Sequence, residues 1–154
     1  NDDDMIAALE SGRVAKYVTD FPNDKIALVH NVIALPHLGA STPESEENCA
    51  RMAADQLKDY LINGNIKNSV NLPNVHQDWS GISRVCLIHK NIPAMLTKIT
   101  TILSDEGVNV ENLTNKSKKD YAYTMVDLNG RIKDAVADEL RAIPGMIRVR
   151  VINH

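Results

Sequence analysis

Met5, Ile6 and Leu9 fall at helical spacing and Gly12 stands where a C-terminal cap belongs, which predicts a short helix over residues 2–11. Val14 to Val18 suits a strand, although Lys16 interrupts it. A loop holding Pro22, Asn23 and Asp24 follows. Val32 to Leu35 is then a second short apolar run without alternation, the pattern of a parallel strand buried on both faces. Helix, strand, loop and strand make the tail of an α/β sheet. They are too few to be a whole one, because so little apolar surface cannot offset chain entropy.

Thr42 and Pro43 read as a helix cap followed by proline at the first helical position, with Glu44, Glu46 and Glu47 favourably placed against the helix dipole. Cys49, Ala53, Leu57 and Leu61 recur every four residues and Ala50 and Ala54 widen the stripe, so a long helix is predicted over 42–62, stopped by Asn63-Gly64-Asn65. Residues 63–81 carry Asn63, Asn65, Asn68, Asn71, Pro73 and two glycines with little periodicity, and are expected to be a domain linker.

From Ile82 onward the pattern becomes self-consistent. Val85, Leu87 and His89 alternate with Cys86 and Ile88 in a strand. Pro93 opens a helix whose apolar face is Met95, Leu96, Ile99, Ile102 and Leu103, closed by Gly107. Val108–Leu113 and Tyr121–Leu128 read as strands joined by the polar turn Lys116–Asp120. Ile132, Ala135, Val136 and Leu140 make a second amphipathic helix. Pro144-Gly145 turns the chain into a last strand, where Ile147, Val149 and Val151 alternate with Arg148 and Arg150. The order βαββαβ is ferredoxin-like, and the fold class is α+β. The expected organisation is a sheet tail at 1–41, a crossover helix at 42–62, a linker at 63–81 and the βαββαβ domain at 82–154.

Composition changes little in this picture. At 154 residues, 44% hydrophobic and 24% charged, the chain is ordinary for a globular protein, and a net charge of -3 provides no basic field for nucleic acid or an anionic membrane. Cys49 and Cys86 have neither zinc-ligand nor disulfide-framework spacing, which suits a reducing cytoplasm, and no metal site is expected. No apolar run approaches the ~18 residues of a membrane span. The chain opens on Asn1 and three aspartates without an initiator methionine, so it is expected to be a piece of something longer.

No GxGxxG, Walker loop or metal-spaced cluster is present, which argues against autonomous nucleotide chemistry. His37 follows an apolar strand and precedes Gly39 and a helix start, the place where open α/β sheets present ligands. A histidine there can exchange a proton near neutral pH, but taken alone it reads first as a loop histidine solvated at a domain edge. His89 and Asn91 flank the first strand-to-helix turn of the βαββαβ unit, and Asn109 follows Gly107. With the free N–H groups of the helix start they could hold a small zwitterion, or they could be ordinary turn residues.

The stretch "VIALPHLGASTPESEENCA" resembles the D-isomer-specific 2-hydroxyacid dehydrogenases, which carry PHxGxST between a strand and a long crossover helix. The preceding "ALESGRVAKYVTDF" and the later "GNIKNSVNLP" resemble the same family. The second half, "RVCLIHKNIPAMLTKITTILSDEGVNVENL" through "AIPGMIRVRVI", resembles an ACT domain, so the resemblance covers essentially the whole chain.

The resemblance implies that residues 1–41 are the C-terminal remnant of a dinucleotide-binding domain of an NAD-dependent oxidoreductase. His37 matches the catalytic histidine that accepts the hydroxyl proton, and Asp24 stands nearest to the carboxylate that sustains it. Asp20 matches the acid beside the nicotinamide, with His37, Leu38, Gly39 and Ala40 lining that end of the cofactor. Glycine-rich loop, ribose-binding acid and substrate-anchoring arginine would lie upstream of Asn1, so the chain alone is expected to be inactive. His89, Asn91 and Asn109 match effector-binding residues for L-serine. The family commonly has glycine where this chain has Ala94. An ACT–ACT homodimer is implied, with His89 and Asn91 of one chain facing Asn109 of the other, within a tetramer in the parent enzyme. A stand-alone amino-acid-binding or dimerisation module is the alternative.

Overall fold

In the computed structural model, which describes residues 1–153, Asn1 accepts a bond from the Asp3 backbone N–H and opens helix α1 (Asp2–Glu10), with acidic side chains filling its first turn as the helix dipole favours. Gly12, at φ 72°, turns the chain away. Strands β1 (Tyr17–Thr19) and β2 (Val32–Ala34) pair in parallel, in register Tyr17 to Val32 and Thr19 to Ala34. β1 begins later than Val14. Between the strands, where a loop was expected, Asn23 accepts from the Lys25 and Ile26 N–H groups and caps a short helix α2 (Asp24–Ala27). The burial expected of β2 is not found: Ile33 is 42% and Leu35 48% exposed, because the two-stranded sheet meets mainly the short helix α2, and Leu9 and Ile26 are the buried apolar residues of this unit.

Thr42 Oγ1 accepts from the Ser45 N–H and Pro43 opens α3 (Pro43–Asn63), close to the expected helix. The chain divides into two compact units at Arg51/Met52, within this helix. The predicted stripe on α3 is largely unpacked, with Leu57 58% and Leu61 55% exposed.

The second unit contains β3 (Ser83–Lys90), α4 (Met95–Asp105), β4 (Val110–Lys118), β5 (Tyr121–Leu128), α5 (Asp134–Ala142) and β6 (Met146–Asn153). The strands form one antiparallel sheet in the order β4-β5-β3-β6, the ferredoxin-like arrangement that the sequence implies. α4 starts two residues beyond Pro93, because Ala94 takes a left-handed conformation (φ 64°) that cannot belong to the helix. β4 runs past Leu113 to Lys118, leaving only Lys119 and Asp120 to turn into β5. One face of the sheet, with Val85, Leu87, Val126, Leu128 and Val149, packs on Met95, Ile99 and Leu103 of α4 and Val136 and Leu140 of α5.

The other face is covered by the segment expected to be a linker. Ile66 and Val75 form an antiparallel bridge and are buried on Cys86, Tyr123 and Met125. The asparagines that suggested a linker close local turns: Asn74 accepts from the Asn68 N–H, and Asn65 from the Gln77 N–H. Arg84 and Asp127 are cross-strand partners on this face and are fully buried. Arg84 donates to both carboxylate oxygens, to the Asp78 carbonyl and to the Asn63 carbonyl, with its guanidinium 4.5 Å from the Trp79 ring. Ser80 donates twice to Asp127. Burial alone would raise the Asp127 carboxyl pKa, but the bonds from Arg84 and Ser80 outweigh it and hold the pKa below its ordinary value.

The last turn of α3 is tied to the same face. Arg150 donates to the Tyr60 and Leu61 carbonyls, Arg84 to that of Asn63, and the Tyr123 hydroxyl to that of Gly64. Carbonyls that no helical N–H can reach are satisfied there, two guanidinium charges meeting the negative end of the dipole. Gly64 (φ 79°) permits the turn, and a Cβ on it would lie 2.5 Å from Cys86 Sγ.

Candidate functional site

The candidate residues fall in both units. In the first, parallel pairing brings the carboxyl ends of β1 and β2 side by side, so residues just beyond each strand meet. His37 Nδ1 lies 2.8 Å from Asp20 Oδ2, and the Phe21 ring packs edge-on to the imidazole at 5.5 Å. A carboxylate only accepts, so in this pair Nδ1 carries the proton and Nε2 is left able to take one from a hydroxyl. Both side chains are more than half exposed. Leu38, Gly39 and Ala40 form the turn into α3, held by Leu38 N–H to the Pro36 carbonyl and Ser45 Oγ to the Gly39 carbonyl. Nothing lies within 4 Å of a Cβ built on Gly39, so the turn is open to a ligand. The carboxylate on His37 is therefore Asp20 and not Asp24, which the Asn23 cap draws into the first turn of α2.

In the second unit, His89 and Asn91 stand at one end of β3 and Asn109 just before β4. The register pairs Lys90 with Tyr121 and Lys118 at one end of the sheet, and Ser83 with Leu128 and Val110 at the other. Asn109 is thus at the opposite end from His89, roughly 20 Å away along strands of this length. Within one chain the three residues do not meet.

Asn91 donates to the Lys119 carbonyl at 3.3 Å and borders an open cavity of about 340 Å³ lined by Lys90, Asn91, Ile92, Asp120 and Tyr121. The N-cap of α4 is Ala94, which provides no side-chain acceptor for the first helical N–H groups. His89, only 2% exposed, lies beneath this surface. Its Nδ1 is 2.8 Å from the Lys90 carbonyl and its Nε2 is 2.8 Å from Thr124 Oγ1, which is in turn 2.8 Å from Asn115 Oδ1. Asn109 is exposed, its N–H bonded to Asn129 Oδ1 and its amide nitrogen donating to Glu111.

The sequence reading passed over Thr124, Asn115 and the Arg84–Asp127 pair. The available signal was a threonine and an aspartate inside the otherwise apolar run Tyr121–Leu128, each needing a buried partner. Among the described residues no group of three or more metal-ligating side chains converges, and no helix is long and apolar enough to cross a membrane.

No family model matches the chain. It is 32% identical over 124 residues to D-3-phosphoglycerate dehydrogenase of Escherichia coli K12, covering 79% of this chain and 30% of that enzyme. It is likewise 32% identical over 131 residues to D-3-phosphoglycerate dehydrogenase 2 of Saccharomyces cerevisiae, covering 79% of this chain and 27% of that one. The Dictyostelium discoideum enzyme is 27% identical over 94% of this chain and 38% of its own. Among solved structures, the ACT domain of a Chlorobium tepidum GTP pyrophosphokinase superposes with a TM-score of 0.41 at 16% identity, covering 46% of this chain and 95% of its own. The chain spans about 30% of the length of the first curated relatives it matches. By sequence it is a relative of D-3-phosphoglycerate dehydrogenase, similar to a part of that enzyme.

Proposed function

We propose that this chain is the C-terminal part of an NAD-dependent D-3-phosphoglycerate dehydrogenase, and that its βαββαβ unit binds L-serine as a feedback effector at a seam between two copies. The observation that carries the effector reading is the placement of His89 and Asn91 at one end of the sheet and Asn109 at the other. An antiparallel edge-to-edge pairing inverts the partner. It therefore brings the partner's Asn109 end level with His89 and Asn91, and the same pairing protects an exposed edge strand. The cavity beside Asn91 and the uncapped N–H groups of α4 suit a small carboxylate. Calorimetry with L-serine tests this. Asn109→Ala should lose about tenfold in affinity, the scale of one buried hydrogen bond to a charged group. Equal heats from wild type and variant would overturn it.

In the whole enzyme NAD would supply the hydride acceptor. The contribution of this chain would be His37 Nε2 as acceptor of the hydroxyl proton, its tautomer held by Asp20, with Leu38, Gly39 and Ala40 forming the wall of the nicotinamide end. The sequence contains no phosphate-cradling glycine loop, so this chain by itself is expected to be inactive. NAD reduction by the purified chain with 3-phosphoglycerate would refute that.

A further inference from the structure

A row of polar side chains crosses the helix-facing side of the sheet. His89 on β3, Thr124 on β5 and Asn115 on β4 are linked by contacts of 2.8 Å, and Leu87, Val126, Leu128 and the α4 residue Met95 belong to the apolar core on this face. Thr124 is fully buried, and a valine would fill the same volume there without a polar atom. A buried hydroxyl is costly unless bonded, so its presence needs the two bonds it makes.

Proton counting fixes the arrangement. The Lys90 carbonyl can only accept, so His89 Nδ1 must carry a hydrogen. In a neutral ring Nε2 is then an acceptor, and the Thr124 hydroxyl donates to it. As placed, the Thr124 hydroxyl faces Asn115 Oδ1, so donation to Nε2 goes with the Asn115 amide turned over, an interchange of oxygen and nitrogen that keeps the 2.8 Å contact. Asn115 sits on the exposed edge strand, so the row joins the buried ring to the surface.

We propose that Thr124 and Asn115 are positioning residues that hold the ring plane of His89 through its Nε2, while the Lys90 carbonyl fixes the Nδ1–H tautomer. They aim that N–H at the turn Lys90–Ile92, where a small carboxylate can take it over from the Lys90 carbonyl. The proposal rests on the reading of His89 as an effector residue for its consequence, and on the geometry of the row for its substance. Thr124 and Asn115 touch no ligand in this scheme and act through His89 alone.

The test is ¹⁵N NMR of the histidine ring in the full chain at alkaline pH, paired with L-serine calorimetry. Wild type should show the Nδ1–H tautomer with Nε2 hydrogen-bonded, Thr124→Ser should keep that Nε2 signal, and Thr124→Val should move it to the position of an unbonded nitrogen and lose about tenfold in serine affinity. Asn115→Ala, on the exposed strand, should shift the same ring signals, and it carries the test if Thr124→Val fails to fold. An unchanged His89 Nε2 signal and unchanged affinity in both variants would overturn the proposal. If wild type gives no serine heat while Thr124→Val still moves the Nε2 signal, the positioning role stands and only the effector reading falls. If serine binds and the Nε2 signal is indifferent to both substitutions, the reverse holds.

Discussion

Two histidine- or arginine-to-carboxylate pairs in this chain have similar geometry and different settings. His37 and Asp20, 2.8 Å apart in the first unit, are both more than half exposed on a two-stranded sheet. Arg84 and Asp127 in the second are fully buried between a four-stranded sheet and the segment that covers it. The apolar residues of the two units differ in the same way. Phe21 is 83% and Leu28 91% exposed, while Leu87, Ile99 and Leu103 are wholly buried. A hydrophobic run becomes core only when a second layer meets it, and in the first unit the short helices α1 and α2 bury only Leu9 and Ile26. One pair can therefore be altered for chemistry at little structural cost, whereas the other holds the fold.

The largest expected effect breaks the second pair. Asp127→Ala leaves the Arg84 guanidinium buried without its counter-charge, and should destabilise the second unit by about 3–5 kcal/mol. Urea unfolding followed by the single tryptophan, Trp79, against the Arg84 guanidinium, reads that unit directly. His37→Ala should leave the same transition where it is. A comparable loss from both would erase the contrast between the units. Core truncation comes next: Leu103→Ala should cost about 2–5 kcal/mol, and Ile33→Ala within about 0.5.

Acid should separate the units further. The Asp127 carboxyl pKa is lowered in the folded protein, so its contribution is complete above the unfolded value near ~3.9 and is lost as pH falls through the folded value. Melting of the second unit should therefore weaken below about pH 4. Asp127→Asn should flatten that slope; an unchanged slope would mean other carboxylates set it.

The same contrast governs what was legible in the sequence. Alternation in β3 and β6 and the faces of α4 and α5 are local patterns, each repeated often enough to identify its element. The packing of residues 63–81 is not local. Ile66 and Val75 are two isolated apolar residues among asparagines, and only the bare face of the sheet, with Cys86, Tyr123 and Met125, gives them a partner. Burial was overestimated for Val32–Leu35, because an apolar run states a preference for a covering layer and cannot supply one. At the candidate sites, His37, His89, Asn91 and Asn109 could be singled out from position alone. The Asp20 contact to His37 required the parallel register of β1 and β2, and the row from His89 to Asn115 required three strands in register.

The smallest expected effect lies inside the well-packed unit, at Ala94. Its φ of 64° places an L-residue with a Cβ in the left-handed region, which costs about 1–2 kcal/mol relative to a right-handed conformation and which glycine adopts freely. Glycine also loses more backbone entropy on folding, by roughly 0.5–1 kcal/mol, so the two terms oppose each other. Ala94→Gly should consequently raise stability by at most about 1 kcal/mol, seen as a rise in melting temperature of a few degrees. Its effect on L-serine affinity is the sharper measurement, because Ala94 is the N-cap of α4, two residues along the chain from Ile92 in the wall of the Asn91 cavity. If the methyl group crowds the effector, glycine should tighten binding by more than the stability change explains. If the two move together, the methyl acts only on the backbone, and the loop from Lys90 to Ala94 is as preorganised as the sheet that carries it.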